Sequence, residues 1–265
     1  MVELLLDAGA LLGESPFWHA AEARLYWVDI DARKIHRTDP ASGADEAMEL
    51  AEQVGCIAPR AFGAAVLADK PEQRFNDGRV DALGRLWVGS LTSDKANPAA
   101  TLYRLDPDGS LTEILHGLTT SNGAAFSPDG RIFYHADTPS HAIRAYDVDA
   151  AAGTLTGGSV FHQFEFGNGR PDGAAVDAEG CYWSALWDGW RVVRFSPAGE
   201  LIRTVELPVQ RPTMIAFGGP DLQTAFVTSA GKNLTDEERL GQPHAGGVFT
   251  FGVDVPGLIQ QEFGA

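Results

Sequence analysis

Glu14, Asn122 and Asp172 are residues whose types and spacing could do chemistry together. Asn122 and Asp172 sit in two copies of one unit, Thr120-Ser121-Asn122-Gly123-Ala124-Ala125-Phe126 and Arg170-Pro171-Asp172-Gly173-Ala174-Ala175-Val176. Each unit reads as a polar turn ending in Asn-Gly or Asp-Gly, then a short strand of small apolar residues. Each strand closes on a second turn, Ser127-Pro128-Asp129-Gly130 or Asp177-Ala178-Glu179-Gly180. Asn122 stands eight residues before Gly130 and Asp172 eight before Gly180, so two oxygen-bearing side chains hold the same station. Glu14 holds that station near the start of the chain. Two carboxylates and an amide oxygen form an all-oxygen set, which suits a hard divalent cation such as Ca²⁺, Mg²⁺ or Mn²⁺ better than a structural zinc site. Three ligands leave coordination positions for water or substrate. Taken singly, Asn-Gly and Asp-Gly are ordinary turn formers, and only the shared register singles them out.

A further candidate is Arg74-Phe75-Asn76-Asp77-Gly78-Arg79-Val80-Asp81. Asn76 shares the station, and Arg74 lies just outside it. Together they offer the donors and acceptors that a neutral polyhydroxyl ligand needs. The alternative is that Arg74 pairs with a nearby carboxylate, which relieves the cost of a buried charge and fixes the loop. His135, in Phe133-Tyr134-His135-Ala136-Asp137, reads as a core or channel-wall histidine. Trp183, Trp187 and Trp190 read as blade packing, with Trp187 also able to floor a sugar site. The chain has no Gly-x-Ser-x-Gly, P-loop or dinucleotide fingerprint.

These stations need elements to hold them, and the chain supplies a repeat. A Gly turn and an aromatic-rich strand recur at Ala23-Arg24-Leu25-Tyr26-Trp27, Gly84-Arg85-Leu86-Trp87-Val88, Gly130-Arg131-Ile132-Phe133-Tyr134 and Gly180-Cys181-Tyr182-Trp183, with a looser copy at Leu222-Gln223-Thr224-Ala225-Phe226-Val227. Third strands such as Thr101-Leu102-Tyr103-Arg104-Leu105 follow with the alternation of half-buried sheet. The stations fall at Glu14, Gly55, Asn76, Asn122, Asp172 and Thr213, separated by 41, 21, 46, 50 and 41 residues. A four-stranded propeller blade takes about 40–50 residues. The expectation is therefore an all-β, six-bladed β-propeller over residues 1–265, with a truncated second blade at about 55–73. Within that blade, Cys56-Ile57-Ala58-Pro59 and Ala64-Ala65-Val66-Leu67-Ala68 read as two inner strands without their outer partners. An N-terminal strand, Val2 to Ala8, is expected to close the ring against Gly247–Val253, and Thr235–Leu240 to form a helical turn or two.

The composition bounds the partners. A formal charge of −16 opposes binding to nucleic acid or anionic membrane and is compatible with a cation or a neutral small molecule. The two cysteines, Cys56 and Cys181, do not make a disulfide framework and read as buried free thiols. Residues 1–12 lack the basic head of a signal peptide, and no run is long enough to span a membrane, so a cytoplasmic location is expected.

Gly13-Glu14-Ser15-Pro16, Arg74-Phe75-Asn76-Asp77-Gly78, Ser121-Asn122-Gly123 and Pro171-Asp172-Gly173 resemble, in order, the signature of the gluconolactonase, senescence-marker-protein and regucalcin family. Phe217-Gly218-Gly219 and Ala245-Gly246-Gly247-Val248-Phe249 resemble its C-terminal motifs. The resemblance implies a six-bladed propeller that hydrolyses sugar lactones with one divalent cation, of identity open among Ca, Mn, Mg, Zn and Fe. It places the metal ligands on Glu14, Asn122 and Asp172, the general base on Asp172, and substrate contacts on Arg74, Asn76 and Asp94. Segments such as Tyr134-His135-Ala136-Asp137-Thr138 look most like bacterial pentonolactonases opening xylono- or arabinono-lactone. The short second blade departs from the pattern. It leaves open a non-catalytic cation-binding propeller or an inactive family member, as either a monomer or a weak homo-oligomer.

Overall fold

The computed structural model describes residues 1–59, 70, 72–94 and 96–264. The chain begins with β1 (Glu3–Leu6) and then lays down its sheets in order. The first is β2 (Gly13–His19), β3 (Arg24–Asp29), β4 (Lys34–Thr38) and β5 (Asp45–Glu49). The second is β6 (Gln73–Val80), β7 (Leu86–Thr92), β8 (Ala100–Leu105) and β9 (Leu111–Leu118). The third is β10 (Ser121–Phe126), β11 (Ile132–Asp137), β12 (Ala142–Asp149) and β13 (Thr154–Gln163). The fourth is β14 (Arg170–Val176), β15 (Tyr182–Trp187), β16 (Arg191–Phe195) and β17 (Leu201–Glu206). The last holds β18 (Pro212–Gly218), β19 (Thr224–Ser229) and β20 (Val248–Gly252), and β1 returns as its fourth strand, antiparallel to β20. This is the closure expected from the sequence. A short helix, α1 (Asp236–Gly241), rides on the β19–β20 connection, with Thr235 and Glu238 forming a capping box.

Among the described residues there are thus five four-stranded blades, which overturns the expectation of a six-bladed propeller with a truncated second blade. The stretch between Glu49 and Gln73 is shorter than the about 40–50 residues of a four-stranded blade, and its described residues 50–59 hold no strand, only a single bridge at Ala58. Cys56-Ile57-Ala58-Pro59 is irregular chain, and Ala64–Ala68 lies outside the described residues. Residues 54–58 instead thread between β2 and β6. Ser15 Oγ accepts from Ile57 N at 2.9 Å. Gly55 lies so close to the Phe75–Asn76 backbone that any Cβ would collide. Val54 and Ile57 pack toward Val28 and Ile30 of the first sheet, and Cys56 and Ala58 toward Val80 and Val88 of the second.

Burial falls from the axis outward. β7 is buried at all seven positions, whereas β5 reads half-buried at Asp45 and exposed from Glu46 to Glu49. Charges on such outer strands discourage edge pairing. The inner-to-second-strand turns put Gly84, Gly130 and Gly180 at φ 71°, 69° and 79°. Where glycine is missing, Ala23 and Leu222 take φ 52° and 58°, which explains why those two copies look irregular in sequence. Asp81 and Asp177 brace two of these turns. Asp177 accepts from Glu179 N and Cys181 N at 3.0 Å, and from Trp183 Nε1 and Arg194 Nε at 2.8 Å. Asp81 accepts from Trp87 Nε1 at 2.8 Å, six residues on, as Asp177 does from Trp183.

Candidate active site

Each inner strand carries a bulge at its station. Glu14 pairs with Val28 but Phe17 with Tyr26, so three steps on β2 face two on β3. The same one-residue excess follows Phe75 on β6, Asn122 on β10 and Pro171 on β14, and Pro212 on β18. A bulge re-aims side chains that strict alternation would send into the sheet face. The Asn-Gly and Asp-Gly pairs, read from sequence as turns, therefore lie within strands. Gly123 takes φ 64° in its bulge, and a Cβ there would strike the Tyr182 hydroxyl.

Glu14, Asn76, Asn122 and Asp172 are all buried. A hydrogen-bond chain links β6, β10 and β14. Arg74 Nη1 donates to Asn76 Oδ1 at 2.9 Å and to Phe75 O at 2.8 Å. Asn76 Nδ2 donates to Asn122 Oδ1 at 2.8 Å and to Ser121 O at 3.0 Å. Asn122 Nδ2 donates to Thr138 Oγ1 at 2.8 Å, and that hydroxyl donates to Pro171 O at 2.8 Å, beside Asp172. Burial holds the Glu14 carboxyl well above its usual range, and the charges of Asp172 and Asp77 push the same way. Arg74 and Lys232 oppose this shift. Burial also disfavours the Arg74 charge, while Asp31, Glu14 and Asp172 favour it. Glu14, Arg74 and Asp172 are thus coupled through their charges, and Arg74, Asn76 and Asn122 through hydrogen bonds.

Asp94 stands apart. It is exposed in the loop after β7, where its Oδ1 accepts from Ala96 N and Asn97 N at 3.1 Å. Among the described residues no three His, Cys, Asp or Glu side chains gather as a metal centre. The donor set of Glu14, Asp172 and Asn122 has two carboxylates and an amide. Its chemistry fits a divalent cation, because a cation would offset both the desolvation of Glu14 and its repulsion by Asp172.

Sequence reading missed a second layer beneath this one. Asp77 Oδ2 accepts from Ala124 N at 2.9 Å, and its buried Oδ1 has no hydrogen-bond partner among the described residues. Burial pushes its carboxyl up to about 6, against the pull of Arg79. Arg79 donates from Nε to Ala124 O at 3.2 Å and from Nη2 to Ala174 O at 2.6 Å, tying β6 to β10 and β14. Tyr182 OH donates to Gly123 O at 2.9 Å. Asp77 was hidden because the bulge lets consecutive residues, Asn76 and Asp77, both bond to β10. Of the other candidates, His135 is buried against Ser121 Oγ at 2.7 Å, and Trp187 lies under the Arg211 guanidinium, 5.3 Å from carbon to ring centre. Trp183 is core, whereas Trp190 is exposed rather than packed. Both cysteines are free, Cys181 buried and Cys56 half-buried.

The chain is 40% identical over 280 residues to a 6-deoxy-6-sulfogluconolactonase of Pseudomonas putida, covering 96% of this chain and 95% of the relative. It is 36% identical over 250 residues to a pentonolactonase of Haloferax volcanii, covering 87% and 85%. The crystal structure of a regucalcin from Agrobacterium tumefaciens, described as a calcium-binding protein, superposes with a TM-score of 0.93 at 29% identity, over 99% of this chain and 97% of that one. The family described as SMP-30/gluconolactonase/LRE-like region matches residues 12–71 and 64–231. By the extent of the family match and the identity to these relatives, the chain belongs to the SMP-30/gluconolactonase/LRE-like family.

Proposed function

We propose that this protein hydrolyses a sugar lactone to the open aldonic acid, with one divalent cation held by Glu14, Asn122 and Asp172. The observation that carries the reading is the gathering of two buried, mutually repelling carboxylates with an amide and an arginine on four different inner strands. Relatives named as lactonases of sulfogluconate and pentonate type support the reaction class. The oxygen donors suit a hard cation, and the related structure's description as calcium-binding supports that choice.

When bound, the cation supplies Lewis-acid polarisation of the lactone carbonyl and of the developing oxyanion. Arg74 orients the substrate through the N–H groups it does not spend on Asn76 and Phe75, and Asn76 is fixed by the amide of Asn122. Asp94, on the loop after β7, adds an acceptor for a ring hydroxyl. Asp172 takes the proton of the attacking water as its oxygen bonds to the carbonyl carbon. The acyl–oxygen bond then breaks, and the ring oxygen leaves with a proton as the hydroxyl of the aldonic acid. The reading includes a cytoplasmic location, for which the free thiols offer support.

The test is proton release from xylono-, arabinono- and gluconolactone, with added Ca²⁺, Mn²⁺, Mg²⁺, Zn²⁺ or Fe²⁺ and then with chelator. Turnover that chelator abolishes, and that Asp172→Ala lacks while keeping its circular dichroism, is expected. Cation binding without hydrolysis of any aldonolactone would overturn the proposal, as would near wild-type turnover in Asp172→Ala.

A further inference from the structure

The opposite end of the axis holds a second cavity, of about 580 Å³. That volume is within the range of small-molecule sites, about 300–1,000 Å³. Its wall is mainly apolar, with Val80, Phe126, Val176, Phe217 and Leu258 among its lining. The C-terminal chain crosses it as a strap. Ala178 N donates to Pro256 O at 2.9 Å, Gly257 N to Leu222 O at 2.9 Å, and Gly264 N to Gly84 O at 2.9 Å. These bonds anchor the strap to the fourth, fifth and second sheets.

Arg79 lines this cavity. Its Nε and Nη2 are spent on Ala124 O and Ala174 O, and Nη1 has no acceptor among the described residues. The carboxylates of the wall are otherwise engaged. Asp81 accepts from Arg85 Nε at 2.6 Å and Trp87 Nε1 at 2.8 Å, and Asp129 accepts from Ser127 Oγ at 2.6 Å and Arg131 N at 3.1 Å. Arg85, also in the wall, is paired with Asp81, which leaves Arg79, among the described residues, as the wall guanidinium without a wall carboxylate; in an apolar chamber it matches an apolar molecule with one anionic head.

We infer that this lower cavity is a second binding site, for a small amphiphile whose single anionic group meets Arg79 and whose apolar body lies against Phe126, Phe217 and the C-terminal strap. The site is independent of the lactonase reading, and its test uses binding alone. The probe is 1-anilinonaphthalene-8-sulfonate, followed by fluorescence, with N-phenyl-1-naphthylamine as the same body without charge. The expected result is saturable binding of one sulfonate dye per chain, displaced by decanoate and not by a sugar lactone. Arg79→Met weakens that dye about ten-fold or more, while the uncharged dye binds as before. Leu83→Asp adds a negative charge at an exposed turn residue of the wall without touching the bonds of Arg79. It should weaken the sulfonate dye while the uncharged dye binds as before, and it decides the matter if Arg79→Met does not fold. Absence of saturable binding, indifference to Leu83→Asp, or displacement by sugar lactone would overturn the inference.

Discussion

His135 gives a pH dependence of folding that can be worked through. Burial pushes its imidazole from 6.5 down to about 4, and its Nε2 lies 2.7 Å from Ser121 Oγ. The folded state therefore favours neutral His135. That contribution is complete above the unfolded pKa of 6.5 and is lost as pH falls from there through about 4. At pH 5 the unfolded chain is favoured over the folded one by a protonation ratio of roughly 30, or about 2 kcal/mol, against a few tenths at pH 7. Glu14 and Asp77 act in the opposite sense, because their carboxyls are raised in the folded state and take up protons on acidification. The wild-type slope is thus a balance, and His135→Gln isolates one side of it. Urea unfolding at pH 7 and pH 5 should show the variant losing about 2 kcal/mol less than wild type over that interval, whatever its absolute stability. Parallel losses in the two proteins would refute the reasoning.

Other perturbations follow from the same contacts. Arg74→Met should raise KM about ten- to a hundred-fold with a smaller effect on kcat, since a charged donor to substrate is lost; an unchanged KM in lactone hydrolysis would remove Arg74 from the substrate site. Asn122→Ala breaks bonds to both Asn76 and Thr138 and should weaken divalent-cation binding as measured by calorimetry; wild-type affinity would exclude Asn122 as a ligand. Asp177→Ala removes an acceptor of four buried or half-buried hydrogen bonds and should cost about 3–5 kcal/mol in urea unfolding. A loss below about 1 kcal/mol would show that Trp183 and Arg194 find other partners.

The repeat was legible because its punctuation is chemical. Glycine marks the turns at Gly84, Gly130 and Gly180, and tryptophan six residues after Asp81 and Asp177 marks the second strands. The family likeness, carried by the motifs around Glu14, Arg74, Asn122 and Asp172, stands. The blade count did not survive. Gly55 reads as an inner-strand station from its spacing after Glu14; in the structure its lack of a side chain serves instead a close approach to the Phe75–Asn76 backbone, which spacing cannot distinguish from a place in a sheet. Alternation also hid the layer of Asp77 and Arg79, because a bulge breaks the two-residue period where the side chains matter most. Asp94, suggested by likeness alone, lies in a loop whose orientation depends on contacts that local sequence does not encode.

The return of β1 to β20 has a consequence for how the protein is made. Residues 3–6 are synthesised well before their partner, residues 248–252, with four complete sheets between them. The final sheet, and with it the closed ring, therefore waits until the other four sheets have been made. Until then β1 is an unpaired apolar strand, Glu3-Leu4-Leu5-Leu6, open to association with other nascent chains. Ring closure of such sequence separation belongs to the slow end of folding rates.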